Sequence, residues 1–507
     1  MHNMKKLVAL GLVAAMSLSL AACGNQNGGT EAGNNAGNNT DNNAANNAAN
    51  NVVNNDISVG TWWTDMTFNS GDTIDKSVDW QNAQLKGDET PEQAEEKLFN
   101  QHVAELKFDN LHAVENKYDI TFHYDNLTYT GVQESINTSI LAGTPDCDIY
   151  LVEPSMGIPA QMNGLALDLR TVLPEDADIF NEQQYMTYLD MGDGKVSIIK
   201  RVEAQGAVEA TYPLGFNMQM LADNNLEDPR DLWERGEWTW DKFLEYCQVL
   251  TQDTDGDGQI DQYGYCGYTN ETIEQLMMSN NTTIAGGTSE TLTSAATGEA
   301  LQMVYDMYNT YKVCYPYDYE YNGGSPSDSM RNQYTQGNIG FFPIAAWIAS
   351  GNGDYDLDGS RGYTLPFDTA YVRWPVGPSG DKDTNPGKNE TSGEFYIIPV
   401  GVAEPEKVYN VLFDIWNWFD GDFSIRDDKK TLNWWYGSTA SDPDLQVENF
   451  ECMQDCGTHV GFDLWVSFSI DNLGTDIEHL VDGTMTVAQF QETYKQPYQD
   501  ALDSLYK

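Results

Sequence analysis

The sequence predicts an α/β fold built as two lobes, and three observations support this prediction. Strand, helix and strand patterns alternate from residue 56 to residue 154, which is typical of a largely parallel sheet covered by helices. About 450 residues follow the N-terminal region, which is too many for one hydrophobic core. The apolar segment GEFYIIPVGV, beginning at Gly393, then predicts a strand that returns to the first lobe.

Local signals define the elements of the first lobe. Residues 90–118 predict a helix, since Thr90 suits the N-cap, Pro91 the first helical position and Gln93 the capping box. The alternating segment DITFHYDNL predicts a strand, and DIYLVEP predicts a buried one. Between them, VQESINTSILAG predicts a helix that Gly143 closes.

The second lobe is predicted to begin after a strand-rich crossover that starts near residue 195. A helix follows at 239–252, with Thr239 as its N-cap and Trp240 at a core position of its apolar face. Trp240 is therefore interpreted as structural. Further along, IGFFPIAAW and YVRWPV predict strands, and residues 405–419 predict a helix with apolar residues at core spacing.

The first residues predict export and attachment to a membrane. Lys5 and Lys6 precede an apolar run, 7–22, that is too short for a stable membrane span. The run ends in LAACG, which resembles the lipobox of bacterial lipoproteins and implies lipid attachment at Cys23. An ordinary secretory signal with a chance cysteine is the alternative. Residues 1–23 are thus predicted as a lipoprotein signal peptide, and the protein as lipid-anchored to the extracytoplasmic face of the cell membrane.

An Asn-rich tether is predicted at 24–55. This segment is nearly all Asn, Gly, Ala and Thr, so it cannot bury enough apolar surface to fold. A flexible chain of about thirty residues spans on the order of 30 Å, which suits a soluble body held away from a membrane.

The charge balance excludes one class of partner and disfavours another. The chain has 26 basic and 78 acidic residues, a formal charge of −52. Such a surface repels phosphate backbones, so we expect no nucleic acid partner, and an anionic solute is disfavoured. Cysteine spacing gives no zinc pattern, and the close pair Cys452 and Cys456 allows a local disulfide.

The segment DTDGDGQIDQYG at 253–264 predicts a calcium loop. Carboxylates stand at its first, third, fifth and ninth positions, a glycine at its sixth, and a backbone carbonyl is available at its seventh. The predicted metal ligands are Asp253, Asp255, Asp257, Gln259 and Asp261. The twelfth position holds Gly264 where a glutamate is expected, and a solvated Asp/Gly turn is the alternative. We expect a structural Ca²⁺ here, and a plain acidic turn at the partial repeat 354–359.

Four segments, in order, resemble the family 1 extracellular solute-binding proteins, the maltose-binding-protein-like sugar receptors of bacterial ABC importers. They are AGTPDCDIYLVEP, YPLGFNMQMLADNNLEDPRDLWERGEWTWDKF, YTQGNIGFFPIAAW and GEFYIIPVGVAEPEKV. The similarity runs over residues 56–507. One departure is Phe216, where the family pattern usually has Tyr.

The resemblance implies a two-lobed, periplasmic-binding-protein-like (type II) fold with hinge strands between the lobes. Lobe 1 is predicted at 56–210 and 393–425, and lobe 2 at 211–392 and 426–507. A carbohydrate bound in the interlobe cleft would close the hinge, and the closed monomer would dock on the transmembrane subunits of an ABC permease.

Aromatic and polar residues near predicted strand ends are the candidate ligand contacts, because sugars stack on indoles and bond to carboxylates and amides. They are Trp62, Trp63, Asp65, Glu153, Asn217, Trp347, Trp434 and Trp435. Core packing is the alternative for each tryptophan.

Two other function classes stay open. A surface-anchored, calcium-dependent carbohydrate-active enzyme would need the same aromatics and carboxylates. A calcium-stabilised surface adhesin is the third class. No nucleophile triad, phosphate loop or cofactor fingerprint is evident in the sequence, so we predict a binding protein and not an enzyme.

Overall fold

A computed structural model describes residues 53–63, 68–87, 89, 91–202, 204, 208, 211–316, 333–345, 365–391, 393–428, 442–464 and 473–505. The predicted signal peptide, Cys23, most of the tether and the acidic turn at 354–359 therefore lie outside the described residues. Within the described part, no helix combines the length and apolarity needed to cross a membrane.

The strands of the described residues form three sheets. They are β1 (Asp56–Thr61), β2 (Thr121–Asn126), β3 (Ile149–Val152), β4 (Met186–Tyr188), β5 (Ile199–Arg201), β6 (Leu214–Asn217), β7 (Tyr263–Tyr265), β8 (Ile339–Pro343), β9 (Thr369–Val372), β10 (Lys388–Asn389), β11 (Phe395–Ile397) and β12 (Val460–Gly461).

Helices connect and cover these strands. They are α1 (Val78–Asn82), α2 (Pro91–Tyr118), α3 (Tyr129–Thr138), α4 (Pro154–Met162), α5 (Met218–Asp223), α6 (Pro229–Glu234), α7 (Trp240–Leu250), α8 (Thr269–Ser279), α9 (Ala295–Tyr305), α10 (Pro405–Trp416), α11 (Phe423–Arg426), α12 (Pro443–Cys456), α13 (Leu473–Val481) and α14 (Val487–Leu505).

The first sheet has six strands in the order β2-β1-β3-β11-β5-β4. Strands β2, β1 and β3 are parallel, as the strand–helix–strand pattern predicts. The expectation of a largely parallel sheet is wrong for the other half of the sheet. There, β11 is antiparallel to β3 and β5, and β4 is antiparallel to β5. Strand β11 comes from the segment predicted to return to the first lobe, and its Phe395 pairs with Val152.

The second sheet has four strands in the order β7-β8-β6-β9. Strand β6 is antiparallel to both β8 and β9, and β7 is parallel to β8. The predicted strands IGFFPIAAW and YVRWPV contribute β8 and part of β9. A short parallel pair, β10 and β12, lies apart from both larger sheets.

Helix α7 shows how apolar spacing becomes packing. The Thr239 side chain caps this helix by accepting a hydrogen bond from the Lys242 amide. The residues on its buried face are all aromatic, aliphatic or cysteine. Trp240 is 5% exposed and donates its indole N–H to Ser279 Oγ at 3.1 Å, as expected of a structural residue. Gly264 of β7 lies so close to this helix that an added Cβ would stand 2.3 Å from the Cys247 Cα, so only glycine fits there.

The cysteines Cys147, Cys247, Cys266, Cys314, Cys452 and Cys456 are free thiols. Cys452 and Cys456 lie one turn apart on α12, and their side chains are in contact. The local disulfide that their spacing allows is not formed in this structure.

Candidate functional site

One edge of the six-stranded sheet brings four chain segments together. The parallel strands β1, β2 and β3 end at this edge, and the antiparallel β11 begins there. Residues just beyond these strand ends are therefore neighbours although they are far apart in the sequence. The segments supply Trp62 and Trp63 after β1, Tyr129 after β2, Glu153 after β3 and Glu394 before β11. We call this set the sheet-edge site.

The aromatic part of the sheet-edge site is a wall of three rings. The Trp62 and Trp63 ring centroids are 6.4 Å apart, and Tyr129 meets Trp62 edge to face at 5.3 Å. Trp62 is partly buried against the core, whereas 43% of Trp63 and 41% of Tyr129 are exposed. Exposed rings held by a packed neighbour are suited to stacking on the CH face of a sugar ring.

Carboxylates hold these rings in place. Trp63 donates its indole N–H to Glu394 Oε1 at 2.5 Å, and the Tyr129 hydroxyl donates to Glu153 Oε2 at 2.9 Å. Burial raises the pKa of Glu153, and the hydroxyls of Tyr129 and Ser155 act in the opposite direction.

A second group of carboxylates comes from helix α8, which follows β7 of the other sheet. Burial, with a smaller effect from the carboxylates of Glu274 and Glu153, raises the pKa of Glu271, in the first turn of α8, to about 7. Glu153 thus lies near enough to Glu271 to act on it electrostatically. The Asn389 amide donates to Glu274 Oε1 at 2.6 Å and orients that side chain.

Two polar atoms in the first turn of α8 have unmet hydrogen-bonding capacity. Within the described part of the chain, Thr269 Oγ1 and Asn270 Oδ1 are buried without a hydrogen-bond partner. Thr269 is 6% exposed. A buried polar group without a partner destabilises the folded state, so a polar ligand or a water molecule that hydrogen-bonds to these atoms would be bound favourably.

The structure brings three of the predicted ligand residues together. Trp62, Trp63 and Glu153 all lie at the sheet-edge site. Asn217 is 4% exposed, and its Oδ1 accepts from the Met220 amide at 3.0 Å to cap α5. Its ligand role stays a prediction. The candidates outside the described residues are Asp65, Trp347, Trp434 and Trp435.

Two residues of the sheet-edge site, and Glu271 of α8, were missed in the sequence. Tyr129 and Glu394 flank strands β2 and β11, so the rule that selected Glu153 could have selected them too. Glu271 gave no such signal, because it is the third residue of α8 and the sequence pattern marks it only as an ordinary first-turn carboxylate. Its burial and its proximity to Glu153 are tertiary properties.

The predicted calcium loop folds back on itself. Oxygens of Asp253, Asp255, Asp257 and Asp261 all lie within 4.8 Å of one another. Asp253 accepts from the amides of Gly256 at 2.6 Å and Gly258 at 2.8 Å. Both glycines have positive φ, of 79° and 92°, which other residues adopt at a cost.

This donor set fits a hard divalent cation. The four aspartates are exposed carboxylates, the ligand type that Ca²⁺ prefers, and like charges so close repel one another unless a cation or water screens them. Hydrogen bonds from Thr254 lower the pKa of Asp261, so this carboxylate is ionised over a wide pH range. The loop leaves α7 and enters strand β7, so it lacks the second helix of an EF-hand. Ile260, at the anchor position, is accordingly 43% exposed.

Known proteins resemble this chain in sequence family and in fold. A family model described as bacterial extracellular solute-binding protein matches residues 111–409, more than half of the chain. No curated protein sequence matches the chain.

Solved structures resemble the chain in fold. The maltose/maltodextrin-binding domain MalE from Bdellovibrio bacteriovorus, bound to maltotriose, has a TM-score of 0.54 at 13% identity and covers 88% of this chain and 100% of its own. An ABC substrate-binding protein from Listeria monocytogenes, in complex with cycloalternan, has a TM-score of 0.55 at 14% identity and covers 89% of this chain and 99% of its own. UgpB from Mycobacterium tuberculosis, in complex with glycerophosphocholine, has a TM-score of 0.51 at 16% identity and covers 79% and 94%. The likeness shows the type II periplasmic-binding-protein fold.

Proposed function

Because this chain belongs to the family of bacterial extracellular solute-binding proteins, we propose that it captures a carbohydrate at the sheet-edge site and delivers it to an ABC permease. The members of this family are binding proteins that are located outside the cytoplasm. The finer points of the proposal are the ligand class, the contacts, the lipid anchor and the calcium ion.

The observation that carries the ligand class is the pair of exposed rings bonded to carboxylates, Trp63 to Glu394 and Tyr129 to Glu153. An indole face offers apolar contact to sugar CH groups, and each carboxylate accepts hydroxyl hydrogen bonds, so this pairing suits a polyhydroxylated ring. The relatives bound to maltotriose and cycloalternan support an oligosaccharide. Trp62, Tyr129 and Glu271 would add further contacts.

The proposed anchor is the lipid on Cys23, followed by the tether at 24–55. The LAACG sequence supports this attachment, and the strongly negative charge of −52 makes electrostatic binding to an anionic membrane unfavourable. Metabolic labelling with a radioactive fatty acid should label the wild type and not Cys23→Ala. Labelling of both, or of neither, contradicts the proposal.

Calorimetry with an oligosaccharide panel tests the receptor proposal. The Cys23→Ala protein should bind one sugar class stoichiometrically, and Trp63→Ala should weaken binding by about tenfold, the loss expected for one stacking ring at about 1.4 kcal/mol. Trp418→Ala is the matched control, because Trp418 is a partly buried indole that contacts Phe419 and Lys107, neither of which belongs to the sheet-edge site.

The same mixtures distinguish the competing function. Unchanged sugar after overnight incubation agrees with a receptor. Cleavage of a bound oligosaccharide would contradict it and favour the surface-anchored, calcium-dependent carbohydrate-active enzyme, which also uses paired carboxylates.

We also propose that the loop 253–264 binds Ca²⁺ and that the ion is structural. The aspartate side chains and the Gln259 carbonyl would hold it, and the ion would neutralise their mutual repulsion. EGTA should lower the melting temperature of the wild type, and Asp257→Asn should show a lower melting temperature and little response to EGTA. Asp500→Asn, an exposed position on α14, should respond to EGTA as the wild type does. A wild type that is insensitive to EGTA contradicts this proposal.

A further inference from the structure

Two free cysteines lie one helical turn apart at the C-terminal end of α12. Cys452 is partly exposed, whereas Cys456, the last residue of the helix, is 3% exposed. Side chains four residues apart on a helix share one face, with their Cβ atoms about 5–6 Å apart. The pair therefore combines a thiol that solvent can reach with a buried neighbour on the same face.

The other cysteines of the described residues are all buried. They are Cys147, Cys247, Cys266 and Cys314. A reagent in solution therefore meets the thiol of Cys452 first. The family to which the chain belongs is extracellular, and outside the cytoplasm thiols are exposed to oxidants.

The end of α12 can bring the two thiols together only by a small rearrangement. A disulfide needs Cβ atoms about 3.5–4.5 Å apart, so its closure requires an approach of about 1–2 Å. The following amide, that of Gly457, is shared between the carbonyls of Met453 at 3.3 Å and Gln454 at 3.0 Å. Shared bonds of this kind allow the last turn to tighten. A disulfide held in a tightened turn is strained, and strained disulfides are easily reduced.

The backbone of Cys456 lies directly against the start of β10. An added Cβ at Gly387, the residue before this strand, would stand 2.5 Å from the Cys456 carbonyl oxygen and 2.8 Å from its Cα. The Gly387 amide also donates to the carbonyl of His459 at 2.9 Å. Because no free space separates these segments, a movement of Cys456 also moves Gly387.

Strand β10 connects this contact to the sheet-edge site. It pairs in parallel with β12, and just beyond it the Glu390 amide donates to the Gly461 carbonyl at 2.8 Å. Four residues after Glu390 comes Glu394, whose carboxylate accepts the indole N–H of Trp63. A change at the end of α12 thus reaches a segment that leads to the ligand-facing rings.

We propose that Cys452 and Cys456 form a redox switch, and that closing their disulfide loosens the pairing of β10 with β12. The Cys452 thiolate attacks a low-molecular-weight disulfide, which forms a mixed disulfide and releases one thiol. The Cys456 thiolate then attacks the Cys452 sulfur and releases the second thiol. The two cysteines lose two electrons to the external disulfide, and their two protons end on the thiols released.

The exchange is expected to be slow at neutral pH. The hydrogen bond to Cys456 and burial raise the pKa of Cys452, so little of its thiol is ionised and able to attack. Oxidation is therefore followed over hours.

Treatment of the folded Cys23→Ala protein with oxidised glutathione tests the switch. After alkylation in denaturant, the tryptic peptide 431–495, which holds these two cysteines and no other, should contain an internal disulfide by mass spectrometry. The four buried cysteines should be alkylated, and reduced glutathione should reopen the disulfide. Cys456→Ser should keep glutathione on Cys452, and Cys452→Ser should stay unmodified, because its remaining thiol of the pair is buried.

Hydrogen exchange measures the effect on β10. The amides of Gly387 and Glu390 should exchange about tenfold faster in the oxidised protein, because their bonds to the β12 segment weaken. Cys452→Ser treated in the same way should keep the slow exchange. The Tyr263 amide, which donates to the Asn338 carbonyl at 2.9 Å between two other strands, is the internal control and should not change.

Four results would overturn the proposal. Thiols left unmodified, or a mixed disulfide that persists in the wild type, contradict the pairing of the two cysteines. Oxidation of the buried cysteines contradicts its selectivity. An internal disulfide that reduced glutathione fails to open is structural and not a switch. A disulfide that leaves exchange at Gly387 and Glu390 unchanged refutes the connection to β10.

Discussion

Replacing Glu271 by Gln should stabilise the ligand-free protein at neutral pH and leave it unchanged at acidic pH. The pKa of Glu271 is about 7 in the folded state, against an ordinary value of 4.5. Below pH 4.5 the carboxyl is protonated in both states and has no effect. Between pH 4.5 and 7 the unfolded state releases the proton and the folded state keeps it, so stability falls as pH rises. The gap of about 2.5 pH units, at about 1.36 kcal/mol each, gives a penalty of about 3 kcal/mol above pH 7.

Calorimetric melting of both proteins from pH 4 to pH 8 measures this difference. Partial exposure of Glu271 allows some solvent screening, so we expect Glu271→Gln to gain about 2–3 kcal/mol at pH 8 and nothing at pH 4. Glu492→Gln, which removes an exposed carboxylate paired with Lys495, should differ from the wild type by at most about 0.5 kcal/mol at any pH. A Glu271→Gln curve parallel to that of the wild type would refute the burial argument.

Three further outcomes are expected. Asp463 accepts from the amides of Ile284 at 2.7 Å and Ala285 at 2.9 Å, so Asp463→Ala should cost about 3 kcal/mol in chemical denaturation and Asp463→Asn less; equal costs would contradict this assignment. Gly264→Ala should lower the yield of folded protein, since its Cβ would meet the Cys247 backbone at 2.3 Å, whereas Gly298→Ala in α9, with its closest neighbour at 3.3 Å, should raise stability by about 0.5–1 kcal/mol in the same denaturation experiment. Alkylation of the unfolded Cys23→Ala protein without reductant should add six groups by mass spectrometry, and four would reveal one disulfide.

Much of the fold is predictable because its signals are local. Helix α2 begins at Pro91 as expected, α7 begins after its Thr239 cap, and the parallel strands β1, β2 and β3 alternate with helices. The antiparallel half of the first sheet was not predictable in the same way. Strand β11 pairs with β3 although the two strands are far apart in the sequence. It has only three residues, so its apolar pattern does not show in which direction it runs.

The candidate site was predictable only where position in the sheet determined it. Trp62, Trp63 and Glu153 follow parallel strands, and parallel strands end at one edge. Glu271 comes from the other sheet, and its meeting with Glu153 depends on how α8 approaches β3. A local pattern carries no information about that approach, and with 78 acidic residues in the chain a single glutamate does not stand out.

The first turns of α4 and α8 partly offset the cost of placing carboxylates there. Glu153 is the N-cap of α4 and Glu271 lies in the first turn of α8, where the helix dipole favours negative charge by about 0.3–1 kcal/mol. That gain is smaller than the penalty of about 3 kcal/mol that burial and repulsion place on Glu271, so the dipole alone does not account for the arrangement. The stability gain of Glu271→Gln at pH 8 therefore measures the part of the penalty that the dipole does not offset.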